Sequence, residues 1–255
     1  MIACVRSVKS GAPAECRGLL RAVMNTLLAF DTATERISIA LAARGRVWQQ
    51  DGEGGAKASA TFLPKILHLL GEASVRLADL DAIAFGRGPG AFTGLRTACS
   101  VAQGLAFGSA RPVLPIDTLL AVAEDARTDD EPVRVWAVMD ARMGEIYAAQ
   151  YAYGDRGWEV LDAPMLTSAE RLNARWREAP PDVVAGNALR VFGDELDPAG
   201  AHCEPAASPR AVGMLDLARA LALRGGAVDA ADALPLYLRD KVAETMLERA
   251  ARALA

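Results

Sequence analysis

The chain has 255 residues, 52% hydrophobic and 24% charged. This balance excludes an intrinsically disordered chain and leaves room for one large or two small packed domains. A net charge of -4 argues against a protein that holds nucleic acid by itself, and no run of 18 or more apolar residues marks a membrane span.

Residues 1–23 are cationic, but Arg17 and Arg21 interrupt the apolar stretch that a secretory signal requires. Met24 is therefore read as the natural start, and residues 1–23 as a non-native or disordered extension. From Met24 the pattern predicts a strand over Thr26–Asp31, a strand over Ile37–Leu41, a hairpin turn at Arg44-Gly45-Arg46, and a strand over Val47–Gln50. A glycine-rich loop (Gly52, Gly54, Gly55) precedes a helix over Ser59–Leu70, whose apolar residues recur at helical spacing. A short strand over Asp81–Phe85, a loop at Gly86–Gly90, a helix over Thr93–Phe107 and a strand over Pro112–Ile116 follow. A helix over Asp117–Ala126 has Asp117 as its expected N-cap.

The charged stretch Arg127–Glu131 with Pro132 marks the expected boundary between a domain over 24–127 and one over 128–255. Beyond it the order restarts with strands over Val133–Asp140, Glu145–Tyr151 and Trp158–Leu161. A helix near Ser168–Glu178, a strand over Asp182–Ala185 and a helix over Ala211–Leu223 come next. The segment Leu236–Leu254 is expected to be helical and to pack back on the first domain. Two successive units of three strands and then alternating helices and strands imply a duplicated α/β architecture.

Three segments carry chemical information. In the helix Thr93–Phe107, Gly94, Ala98, Ala102 and Ala106 recur every four residues and form a side-chain-poor stripe. It serves either packing on the chain's own sheet or close approach of a partner helix, with Leu95 and Cys99 on the adjacent row. The helix Ser59–Leu70 has more apolar circumference than one buried face requires, so Phe62, Leu63, Ile66, Leu67 and Leu70 join the candidate partner surface. The loop Gly86-Arg87-Gly88-Pro89-Gly90 leads through Thr93 into a helix, where backbone amides can cradle an anion, although its spacing is neither Walker A nor GxGxxG. Asp31 and Thr32 occupy a tight turn that is either ordinary Asx chemistry or a phosphate-facing site. Asp140 to Glu145 occupies the corresponding turn of the second unit.

Cys4, Cys16, Cys99 and Cys203 include no CxxC pair, and His68 and His202 form no HxxxH pair. No disulfide framework or metal site is expected, and the cysteine usage suits a reducing cytoplasm. Neither GxSxG nor HExxH is present, so a peptidase reading has no nucleophile–base pair or metal ligands to rest on.

Taken together, LLAFDTATERISIAL (27–41), DLDAIAFGRGPGAFTGLRTACSVAQGLAFG (79–108), MDARMGEIYAAQY (139–151) and PLYLRDKVA (235–243) resemble the TsaB (YeaZ) family of tRNA threonylcarbamoyladenosine synthesis. The resemblance implies an α/β fold of two actin-like (RNase H-like, ASKHA superfamily) domains in tandem. It implies a cytoplasmic, non-catalytic scaffold that binds the catalytic paralogue TsaD, together with TsaE, through its first two helices. A homodimer would use the same surface when TsaD is absent, and tRNA would be met indirectly through the complex. It further implies no cofactor on this chain alone, with ATP and metal on the partner subunits. Ala91 stands where the family loop often has Ser, and Ala58 where many members have His. Both changes remove polar groups. The alternative is an actin-like enzyme binding ATP through the Asp31 turn and the Gly86–Gly94 loop.

Overall fold

The computed structural model describes residues 24–54 and 58–239; residues 1–23 and the helix expected over 240–254 lie outside them. The chain opens with a meander of β1 (Leu27–Asp31), β2 (Arg36–Ala43) and β3 (Arg46–Glu53). Every residue of β1 is buried, as an unbroken apolar run with both sheet faces covered requires. Arg44 (φ 50°) and Gly45 (φ 73°) close the β2–β3 hairpin with the paired positive φ values that match strand twist. Next come α1 (Ala58–Glu72), β4 (Ala82–Gly88), α2 (Phe92–Ser109), β5 (Val113–Asp117) and α3 (Thr118–Ala126). The sheet order is β3-β2-β1-β4-β5, with β4 parallel to β1 and β5 parallel to β4.

The second half repeats this plan. A meander of β6 (Val133–Asp140), β7 (Ile146–Gly154) and β8 (Gly157–Thr167) is followed by α4 (Ala169–Glu178), β9 (Val183–Ala185), α5 (Ala188–Phe192) and β10 (His202–Glu204). The order β8-β7-β6-β9-β10, with β9 parallel to β6 and β10 parallel to β9, matches the first sheet in sequence and polarity. The expectation of duplicated α/β units agrees with this topology. α5 and β10 are too short, at 5 and 3 residues, to leave a readable period.

α6 (Ala211–Leu223) crosses the expected boundary at 127/128. It packs on β1, β2 and β5 of the first sheet, while α3 packs on β6 and β7 of the second. The first N–H of α6, on Ala211, donates to Ser38 Oγ at 3.0 Å, and Arg219 Nε donates to the Met24 carbonyl at 3.5 Å. One apolar core therefore runs through both halves. It draws Leu27, Ala29 and Ala84 from one sheet, Val135, Ala137 and Tyr151 from the other, and Leu119, Val122, Met214 and Leu215 from the helices between. On the outer face of the first sheet, α1 and α2 cover Phe30, Ile37, Ile39 and Phe85. On the outer face of the second, α4 brings Leu172 and Trp176 against Trp136 and Val184. The result is five layers, helix–sheet–helix–sheet–helix.

Three local expectations change. β3 continues to Glu53 where a loop was expected from Gly52, and the Gly54 N–H then bonds the Glu35 carbonyl at 2.7 Å. Asp117 makes no side-chain cap bond to α3; its Oδ1 accepts from Arg87 Nε at 2.5 Å instead, a bond in which both partners are charged. Residues Leu236–Arg239 are not helical. They run extended along the first half, and the Leu236 N–H donates to the Arg87 carbonyl at 2.7 Å.

Candidate functional site: an interlocked turn, a two-helix face and a cleft

The Asp31 turn and the glycine loop meet, but they fill each other. Asp31 is buried, with Oδ1 accepting the Ala33 N–H at 2.6 Å and Oδ2 accepting the Thr118 hydroxyl at 2.8 Å. The Thr118 hydroxyl in turn accepts the Gly88 N–H at 3.2 Å. Gly86 is required because a Cβ there would lie 1.7 Å from Asp31 Oδ2. At Gly94 a Cβ would lie 1.9 Å from the Thr32 carbonyl oxygen, while the Thr32 hydroxyl donates to the Gly94 carbonyl at 2.7 Å. Gly90 packs against Ala33, whose carbonyl accepts the Ala91 N–H at 2.8 Å. Gly88 adopts φ 113° with the Leu236 carbonyl directly over it. Arg87 is turned to Asp117, and Thr93 is exposed at the start of α2.

These glycines admit the chain's own atoms. The Asp31 carboxylate and the Ala33 and Ala91 amides already have partners. Burial pushes the Asp31 carboxyl up from its ordinary 3.8 to about 6, against the two hydrogen bonds that lower it.

The helices require a correction. Ala98, Cys99, Ala102 and Ala106 are buried, with Leu95 and, on α1, Phe62, Ile66 and Leu70. The small-residue stripe faces the chain's own sheet, where small residues on α2 let the helix sit close to bulky Phe30, Ile83 and Phe85. Of the expected partner residues, Leu63 and Leu67 are exposed, and Gly94 is half-buried against Thr32. The outward row of α2 lies about 200° further round, two residues on: Ser100, Gly104, Phe107 and Gly108. Phe107 is 87% exposed. A Cβ at Gly104, Gly108 or Gly71 would meet nothing within 4 Å. α1 and α2 touch, and Leu63 and Leu67 on the one and Phe107 on the other are turned away from the core. The sequence signal for Phe107 is an aromatic side chain on the helix face opposite the alanine row.

Between the sheets lies a cleft of about 500 Å³. The β1–β2 turn, with Glu35, forms one side, and the β6–β7 turn, with Asp140 and Arg142, forms the other. Arg142 spans it, pairing with Glu35 and with Asp140 at 3.3 Å. The extended tail closes one end: the Tyr237 ring lies 5.4 Å from Phe92, Arg96 Nε donates to the Tyr237 hydroxyl at 3.3 Å, and Arg239 pairs with Glu145. Among the described residues no three His, Cys, Asp or Glu side chains are grouped to hold a metal ion, and no helix is long and apolar enough to cross a membrane.

Known proteins share this sequence and fold. Residues 55–190 match the family model described as TsaD, tRNA N6-adenosine threonylcarbamoyltransferase. The tRNA threonylcarbamoyladenosine biosynthesis protein TsaB of Haemophilus influenzae is 35% identical over 226 residues, 85% of this chain and 94% of that protein. Its counterpart in Escherichia coli is 33% identical over 221 residues, 85% of this chain and 96% of that protein. The solved structure of YeaZ from Pseudomonas aeruginosa superposes with a TM-score of 0.76 at 38% identity, covering 84% of this chain and all of that one.

Two measurements check the interlocked turn. Gly86→Ala should lower stability by roughly 3 kcal/mol, read as a lower urea midpoint, because the pinned carboxylate has nowhere to move. Asp31 is protonated in both folded and unfolded states below about pH 4, and its contribution to stability is then fully present. As pH rises through about 6 the folded state must ionise a buried carboxyl, so roughly 3 kcal/mol is lost. Stability measured from pH 4 to 7 should fall more steeply in the parent than in Asp31→Asn; parallel curves would refute the assignment.

Proposed function

The chain belongs to the TsaB (YeaZ) family, and from that premise we propose that it serves the synthesis of threonylcarbamoyladenosine in tRNA as a non-catalytic scaffold subunit. In this reading it binds a TsaD-type protein, with TsaE joining the assembly, and meets tRNA through the complex. ATP and metal belong to the partner subunits, whereas on this chain the Asp31 turn and glycine loop are used structurally. The observation that carries the reading is the outer face of α1 and α2, where Leu63, Leu67 and Phe107 stand exposed beside helix positions with no side chain. Exposed apolar residues flanking bare helix backbone suit a helix-on-helix contact. Two copies of the chain could pair through the same face when the partner is absent.

Size-exclusion chromatography with light scattering on the chain mixed with its TsaD-type partner should give a discrete heterodimer. Leu67→Arg and Phe107→Arg should each weaken association about tenfold or more while leaving the melting midpoint unchanged. Ala98→Arg should instead prevent folding, since its side chain would enter the core. A full-strength complex from the folded Leu67→Arg, Phe107→Arg double variant would overturn the assignment of this face.

A further inference from the structure

α2 carries a single charged side chain in its 18 residues, Arg96. Eleven residues make three helical turns with about 20° to spare, so Arg96 and Phe107 point the same way, about 16 Å apart along the axis. Ser100 lies in the same row and Gly104 flanks it, and all four residues are exposed. The row is apolar at its C-terminal end, bare in the middle and cationic at its N-terminal end.

The cation is held in place. Its guanidinium carbon sits 3.9 Å over the centre of the Phe92 ring, and its Nε donates to the Tyr237 hydroxyl at 3.3 Å. Tyr237 belongs to the extended tail, which the Leu236 N–H bond to the Arg87 carbonyl and the Arg239–Glu145 pair fix on either side. Among the described residues Arg96 has no carboxylate partner, and neither of its Nη groups makes a hydrogen bond. A guanidinium stacked on a ring has already given up rotamer freedom, and it keeps its outer N–H pair for an oxyanion.

We propose that Arg96 is the polar anchor of the partner contact, receiving an Asp or Glu carboxylate from a partner helix whose apolar residue, three turns away, packs on Phe107. This rests on the assignment of the outer helix face to a TsaD-type partner, and it adds the chemistry that the partner must carry. Nucleic acid would need several cations together, whereas Arg96 is alone on α2. A second copy of the chain is a poorer match. Its α1 and α2 offer one carboxylate between them, Glu72, which already lies 3.6 Å from His68. Arg96 therefore favours an acidic partner helix over self-association.

Calorimetry of the full chain with its TsaD-type partner, at low and at high sodium chloride, tests this. Parent affinity should fall with salt. Arg96→Gln should weaken binding about tenfold at low salt and flatten the salt dependence, with an unchanged melting midpoint because the side chain is exposed. Tyr237→Phe, which removes only the hydroxyl that orients Arg96, should cost about threefold and keep the salt dependence. Sedimentation of the chain alone should show self-association no weaker in Arg96→Gln than in the parent. Parent affinity in Arg96→Gln, alongside lost binding in Leu67→Arg and Phe107→Arg, would refute the anchor and leave the face assigned. If the parent does not bind the partner, the partner reading falls and the anchor with it. An intact Arg96→Gln heterodimer whose assembled complex has lost tRNA affinity would reassign Arg96 to a phosphate and overturn the proposal.

Discussion

A carboxylate resting on bare backbone sets the geometry of the first half of the molecule. Asp31 ends β1, and because Gly86 has no Cβ its Oδ2 can lie over β4 and reach the Thr118 hydroxyl at the start of α3. Thr118 then takes the Gly88 N–H, so the ends of two strands and the beginning of a helix share one hydrogen-bonded chain. The same economy recurs along the loop, with Gly90 over Ala33 and Gly94 over Thr32. α2 can therefore start directly against the β1–β2 turn. Burying the carboxyl carries a cost, visible as its raised pKa, which the two hydrogen bonds offset only in part.

The exchange of helices between halves explains why surplus apolar surface is confined to one outer layer. α3 lies between the sheets and packs chiefly on the second, while α6 packs on the first. Both inner sheet faces are thus covered by helices held in common, and the mixed core makes the halves interdependent. The outer faces are covered separately. α4 buries Leu172 and Trp176 and is otherwise strongly polar, whereas α1 and α2 satisfy the core with their inner rows and still show Leu63, Leu67 and Phe107 outside. Surplus apolar surface on one outer layer, with a charged helix on the other, gives the molecule a side for association.

Net charge describes this chain poorly. The overall balance is -4, yet four arginines meet at the cleft against two acids on its lining. They come from β2, the β6–β7 turn, α5 and the extended tail, four places far apart in the sequence. Elsewhere several acids are paired with arginines: Asp79 with Arg76, Glu124 with Arg127 and Asp182 with Arg134.

The sequence by itself determined the longer elements, the duplicated order and the family, because apolar period and glycine placement are local properties. Met24 to Gly104 show both its strength and its limit. The strands, both helices and the loop were legible within a few residues, and the Gly94, Ala98, Ala102, Ala106 row was legible as a stripe. Its direction was not, since periodicity defines a face of a helix without saying what lies opposite it. Only the packed structure decided that bulky strand side chains fill the space before the alanines, leaving Phe107 outside. Likewise Asp31 read as either a turn residue or a phosphate ligand until Gly86 and Thr118, distant in sequence, were brought to its Oδ2. What depends on neighbours along the chain is written in the chain; which way a face or a carboxylate points depends on contacts between residues far apart, and those exist only once the chain has folded.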